Sequence, residues 1–322
     1  MLTPAARSLP GTVTVRRAGC NQCRIGAMKF WVSTAFTPVD QYVHLARYCD
    51  EAGLHGLLMG DHQIHPRELA RPYPYAADGK PIWSEDAHWP DAWITIGAMS
   101  AVTERLRFGT NVYIGPARNL LTVTKSVGTA AAISGNRVQV GLGVGWMKEE
   151  FDIQQQPYET RSARLTEMVH ARRSLLAGGW VEHHGAHYDI PPVKIEPHPS
   201  EPVPILTGGQ SEAALRRAAN HADGWIGTSY EEPQAHEMLG RVRRLRAEAD
   251  RLDEPFEVIM GIRSPFSDDL FTRLEASGLT GILCAPWLLM DDDYYNNIAR
   301  AQGEMTLSHK RDAVFRFAEA YC

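Results

Sequence analysis

A chain of 322 residues, 44% hydrophobic and 22% charged, is long enough for one large α/β domain or two smaller ones and can bury a sizeable core. Its 33 lysines and arginines against 38 aspartates and glutamates give a net charge of −5 without an extended basic tract, which argues against a nucleic-acid partner and for a small-molecule substrate. Five scattered cysteines fit a reducing, cytoplasmic compartment better than a disulfide framework, and no apolar run is long enough to span a bilayer, so no membrane partner is expected.

Residues 1–27 contain the one C-x-x-C pair, Cys20 and Cys23, and lack the apolar centre of a signal peptide; they read as a disordered leader. A structural zinc site needs about four ligands, and no second pair supplies them. From residue 28 to residue 322 the pattern is that of a single domain. Strands are expected at 29–33, 56–59, 107–112, 137–143, 203–207, 224–226, 257–261 and 281–284, the sixth being the weakest. Between them amphipathic runs predict helices at 38–52, 91–102, 122–133, 162–177, 211–220, 237–251 and 268–276, with a terminal helix at 310–320. Eight strands alternating with helices give a (β/α)8 TIM barrel.

Two insertions break the alternation. The first, 62–90, follows the second strand at the C-terminal face, the catalytic end of such a barrel. It carries Tyr73, Tyr75, Trp83 and Trp89 among prolines and is expected to wall a substrate pocket. The second, 180–204, reads as a β-hairpin with a proline-rich return, and its His183, His184 and His187 as solvated.

Gly141-Leu-Gly-Val-Gly145 ends the fourth strand, and a glycine-rich turn after a strand suggests dinucleotide binding. The spacing excludes it: a G-x-G-x-x-G register puts Trp146 or Lys148 where the third glycine belongs. Alternation along a strand instead places Gly141, Gly143 and Gly145 on one side, which leaves a groove there or marks a bulge.

Asp61 and His62 close the second strand, an ionisable pair at the barrel mouth suited to proton transfer. With His65 they form at most a loop metal site, and no metal is expected. Thr207-Gly-Gly-Gln-Ser211 ends the fifth strand and opens a helix, an outline for an anion site in which Ser211 serves equally as an N-cap. Arg161 and Arg164 begin the helix after the glycine strand, within reach of a phosphate or in surface ion pairs.

Together, Leu106-Arg-Phe-Gly-Thr-Asn-Val112, Gly135 to Trp146 with Glu149-Glu-Phe151, and Pro204-Ile-Leu-Thr-Gly-Gly209 with Ala222-Asp-Gly-Trp225 resemble the bacterial luciferase-like flavin and deazaflavin oxidoreductases, from residue 28 to the C-terminus. The resemblance implies a ring cofactor at the C-terminal mouth and a non-proline cis peptide at Asn111–Val112, bulging against the ring. The glycines then make room for a flat tricyclic ring. His62 matches a histidine near the reactive ring, with Asp61 tuning it. Gly208, Gly209 and Ser211 match the phosphate loop, and Arg164 is preferred over Arg161 as its arginine. The strings Gly60-Asp-His62 and Gly143-Val-Gly-Trp146 look most like the coenzyme F420 branch, which implies hydride transfer between the deazaflavin and a small organic substrate. The alternatives are an FMN-dependent monooxygenase and a flavin-binding protein without catalysis. Relatives commonly dimerise, so a homodimer is expected.

Overall fold

The computed structural model describes residues 28–289 and 304–322; the proposed leader and its two cysteines lie outside the described residues. Eight strands form one parallel sheet: β1 (Lys29–Ser33), β2 (Gly56–Met59), β3 (Arg107–Thr110), β4 (Val140–Leu142), β7 (Ile205–Gly208), β8 (Gly224–Tyr230), β9 (Glu257–Ile262) and β10 (Gly281–Cys284). Their order is β3-β2-β1-β10-β9-β8-β7-β4. Single bridges from Phe108 to Val138 and from Tyr113 to Leu142 join the two edges and close the barrel.

Period-two alternation sorts the strand residues between two cores. Trp31, Leu58, Leu206, Ile226 and Ile259 point inward and fill the barrel. Their neighbours Val32, Leu57, Val140, Ile205, Trp225, Val258 and Ile282 face outward and pack beneath the helices. The large indole of Trp31 plugs the lower interior, and Gly56 admits it: a Cβ there would lie 2.4 Å from the ring.

The helices follow their caps. In α1 (Tyr42–Ala52), Leu45, Ala46 and Cys49 are buried, and Gly53 at φ 81° ends the helix in the left-handed region open to glycine. Asp91 caps α2 (Ala92–Ser100) and Asn119 caps α3 (Leu120–Ser134), each accepting from two backbone N–H groups. Next come α4 (Lys148–Ile153), α5 (Arg161–Leu175), α6 (Glu212–His221), α7 (Glu232–Glu248) and α8 (Asp268–Ala276). The hairpin expected in the second insertion is present as β5 (Trp180–His184) and β6 (Asp189–Lys194).

Several boundaries differ from expectation by two or more residues, and three are informative. The third strand leaves its ladder after Thr110, and the peptide that follows, Asn111–Val112, is cis. The strand read as weakest continues to Tyr230, paired to β9 across a register shift between Ile226 and Ser229. Helix α7 starts five residues before the expected 237, because Glu231 and Gln234 form a capping box and a proline occupies its first turn.

Among the described residues, no helix is long and apolar enough to cross a membrane. Neither is there a cluster of three or more His, Cys, Asp or Glu side chains placed to hold a metal.

Candidate functional site

Asp61 and His62 follow β2 into the barrel mouth, and the chain turns their side chains to different partners. Successive residues of an extended segment face opposite ways. Asp61 forms a bidentate pair with Arg118, Oδ1 to Nη2 and Oδ2 to Nη1 both at 2.7 Å, and accepts from the Ile114 N–H at 2.8 Å. The Arg118 guanidinium in turn lies 4.1 Å from the centroid of the Tyr113 ring. Burial pushes the Asp61 carboxyl above the usual carboxylate range, and Arg118 works against that shift. This carboxylate fastens the β2 end to the segment after β3. It makes no hydrogen bond to His62, contrary to the expectation that Asp61 orients the histidine directly.

His62 is oriented by Glu150 instead. Its Nδ1 lies 3.1 Å from Glu150 Oε1, an oxygen that also accepts from the Gln63 N–H at 2.7 Å. The Glu150 side chain is fully buried and that of His62 is 9% exposed. Because a carboxylate only accepts, this pairing puts the proton of a neutral imidazole on Nδ1 and leaves Nε2 as its lone-pair nitrogen. Nε2 has no hydrogen bond among the described residues, and the second oxygen of Glu150 is likewise buried without a partner. Aromatic rings enclose the pair: Trp83 at 5.0 Å, Trp89 at 4.9 Å and Trp146 at 5.9 Å from the His62 centroid.

The first insertion is thereby part of the site. Tyr73, Trp83 and Phe36 form a buried cluster against which Trp89 and Trp146 pack, whereas Tyr75 stays 60% exposed at its edge. Gly60 accommodates Trp89, since a Cβ at that position would stand 2.7 Å from the indole.

The glycine strand does something other than expected. A Cβ on Gly141 would meet the Thr110 carbonyl oxygen at 2.1 Å, and one on Gly143 would meet Val112 Cγ2 at 2.3 Å. Across the barrel, a Cβ on Gly208 would meet the other methyl of Val112 at 2.7 Å. Gly143 and Gly208 therefore make room for Val112, which the Asn111–Val112 bulge drives into the mouth. Gly145 belongs to neither contact; at φ 76° it turns the chain beside Ile114 and Phe151. The floor of the mouth is Val112 backed by two glycines, not a bare groove.

After β7, Gly208 and Gly209 lead into Ser211, whose hydroxyl accepts from the Ala214 N–H as the N-cap of α6. Trp225 Nε1 holds the Gly209 carbonyl at 2.9 Å, and Gln210 bonds Thr228 at 2.7 Å, so the loop is fixed from β8. The first turn of α6 offers backbone N–H groups at the positive end of a helix dipole. Of the two arginines, Arg164 is buried, and its Nε, Nη1 and Nη2 donate to Thr160, Gln156 and Pro157. That guanidinium braces the loop before α5, against the preference given to it. Arg161 is half-buried, stacks 3.7 Å over the Tyr158 ring and donates to the carbonyls of Gly145 and Tyr158.

Of the hairpin histidines, His184 and His187 are exposed as expected, whereas His183 is half-buried; His183 contacts Glu167 at 3.1 Å and His184 contacts Asp189 at 2.6 Å. They lie away from the mouth's partners. Sequence reasoning missed Glu150, Arg118 and Trp146 as members of the site, although Glu150 and Trp146 stand in the motif that follows the glycine strand.

A closed parallel barrel with an oriented His–Glu pair at its C-terminal mouth is a (β/α)8 fold with candidate chemistry at the face where such barrels carry it. The chain matches the family of luciferase-like monooxygenases over residues 19–270 and belongs to it. It is 36% identical over 256 residues to an uncharacterized protein of Mycobacterium tuberculosis (strain ATCC 25618 / H37Rv), covering 80% of this chain and 88% of that one. The F420-dependent glucose-6-phosphate dehydrogenase of Microbacterium testaceum is 28% identical over 221 residues, 67% of this chain and 66% of the relative. Among solved structures, the coenzyme F420 dependent tetrahydromethanopterin reductase from Methanopyrus kandleri superposes with a TM-score of 0.67 at 13% identity, covering 91% of this chain and 98% of that one. The oxygenating constituent of 3,6-diketocamphane monooxygenase from Pseudomonas putida, in complex with FMN, gives 0.57 at 14% identity over 73% and 67%. These two likenesses are of fold.

Proposed function

We propose that this chain is a coenzyme F420-dependent oxidoreductase acting on a small organic substrate. The observation that carries this reading is the His62–Glu150 pair, caged by aromatic rings at the mouth beside Val112. The F420 dependence of the glucose-6-phosphate dehydrogenase relative supports the deazaflavin branch. The mouth fits such a group: Val112 presents an apolar floor, the α6 N-terminus offers N–H donors for a phosphate, and the Trp89 Nε1 is a buried polar atom still lacking a partner. When bound, a deazaflavin supplies or accepts hydride, the chemistry the side chains lack.

The chain's own residues supply position and the proton. His62 takes a proton at Nε2 or gives one from it, and Glu150 stabilises the imidazolium through Nδ1–H. Val112, held up by Gly143 and Gly208, supports one face of the ring, while Gly209, Ser211 and the first turn of α6 receive the phosphate. Trp83, Trp89 and Trp146 exclude water from the reacting side. An FMN-dependent monooxygenase is the second reading, favoured by the FMN-bound structure of the same fold.

Titration of the purified protein with coenzyme F420 and with FMN, followed by turnover with oxygen present and excluded, separates the two. Binding of F420 at least tenfold tighter than FMN, with oxygen-independent turnover, is the expected result. Tight FMN binding with strict oxygen dependence would overturn it, and binding without turnover across a broad acceptor panel would leave a flavin-binding protein. Because a side chain at 143 displaces Val112, Gly143→Ala is expected to weaken cofactor binding about tenfold and Gly143→Leu to abolish it, with circular dichroism unchanged. Undiminished binding by Gly143→Leu would remove Val112 from the ring site.

A further inference from the structure

The insertion 62–90 does more than wall the aromatic cluster. It also lines a half-open cavity of about 390 Å³, a size that small ligands fill. His65, Arg67, Arg71, Asp78, Lys80 and Met147 line it. Three of these are permanent cations and one is a carboxylate, a local excess of two positive charges (3 − 1) in a chain whose net charge is −5.

Exposed lysines and arginines are ordinarily just solvated. Here the backbone that carries them is fixed. The Tyr73 N–H donates to the Gly79 carbonyl at 2.7 Å, the Gly79 N–H to the Ala76 carbonyl at 3.0 Å, and Glu149 accepts from the Ala70 N–H. Gly79, at φ 70°, approaches Pro72 so closely that a Cβ would lie 2.8 Å from the ring. Arg67 and Lys80 are correspondingly uncommitted, whereas the Arg71 guanidinium lies 5.0 Å from the Tyr158 ring centroid. Asp78 turns Oδ1 to the backbone N–H of Lys80, Arg71 has a loose, exposed pair with Glu159 at 3.7 Å, and neither Arg67 nor the Lys80 ammonium has an anionic partner among the described residues.

The cavity is beside the site described above and separate from the anion cradle. Met147 forms one wall and adjoins Trp146, whose ring is 5.9 Å from that of His62. The cradle after β7 is three strands away around the barrel, beyond β3 and β4. A cofactor anchored there has its phosphate accounted for, so the basic cavity is left for the second reactant.

We propose that this cavity binds the anionic group of the substrate, which is a small organic acid or phosphate ester with its apolar part against the Trp83–Trp146 cluster. The substrate assignment rests on the oxidoreductase reading; the anion site does not. Arg67, Arg71 and Lys80 neutralise the anion, and the fixed loop removes the ordering cost that a flexible basic segment would carry.

Fluorine NMR of 4-fluorobenzoate, 4-fluorophenyl phosphate and the neutral 4-fluorobenzamide, with and without saturating deazaflavin, tests this. At least one anion is expected to bind about tenfold more tightly than the amide, as two part-exposed charge contacts allow, and their ranking tells carboxylate from phosphate. Arg67→Gln with Lys80→Gln, both exposed, should erase the preference and leave the deazaflavin Kd within twofold. Equal binding of amide and anions, or a preference that survives the double variant, would overturn the proposal. So would a tenfold loss of deazaflavin affinity in that variant, which would give the cavity to an acidic part of the cofactor. Discrimination that stands while deazaflavin fails to bind keeps the anion site and removes the function proposed above.

Discussion

Glu150→Gln lowers turnover about 100-fold or more while leaving cofactor affinity within a factor of two. The expectation follows from what an amide does beside Nδ1. The amide oxygen can still accept from Nδ1–H and from the Gln63 N–H, but an uncharged group cannot stabilise the imidazolium, and general acid–base catalysis of this kind contributes roughly 10²–10⁴-fold. His62→Asn removes the proton carrier itself and should cost a similar factor. Because the two act as a unit, the double variant should be no slower than the worse single one. Steady-state turnover of the four proteins, with the cofactor Kd measured alongside, makes the comparison. Losses that simply multiply, or turnover that stays unchanged, would dissolve the pair.

Asp61→Ala is the second large effect, and it falls on stability. The Asp61 side chain is 3% exposed and that of Arg118 is 14% exposed, so deleting the carboxylate strands a nearly buried guanidinium. Breaking such a pair costs about 3–5 kcal/mol, whereas replacing both partners by apolar residues is often close to neutral. Chemical denaturation should therefore show a marked loss for Asp61→Ala and substantial recovery in Asp61→Leu with Arg118→Met. At a temperature where the single variant remains folded, its pH–rate profile should match that of the parent chain. An unchanged midpoint together with a displaced pH profile would restore Asp61 to proton chemistry.

The barrel was legible because its signals are local. Period-two and helical patterns found every strand among the described residues, and the errors fell at element ends, such as the start of α7, where a capping box outweighs the apolar pattern. The addresses were legible: strand-end reasoning put His62, Gly143 and Ser211 at the C-terminal mouth, and the family resemblance added Asn111 and Val112. Partnership was not. Asp61 and Arg118 are 57 residues apart and His62 and Glu150 are 88 apart, and no periodicity encodes which pairs meet. Glu149 and Glu150 are identical as residue types; only the phase of α4 turns one to His62 and the other to Ala70. Alternation along the chain did hold the clue that Asp61 and His62 face apart. The glycines misled for a related reason: an absent side chain marks close approach, and sequence does not say whether a ligand or a valine approaches.

Three of the chain's eight tryptophans, Trp83, Trp89 and Trp146, surround the imidazole of His62, while Trp31, Trp225 and Trp287 are sealed in the core. The protein therefore carries its own optical gauge. A flat chromophore settling on Val112 would quench the mouth indoles together with Trp31, whose cluster Val112 packs against. Loading of the mouth can be followed without a label, and a single Trp89→Phe exchange says how much of the signal comes from the rim.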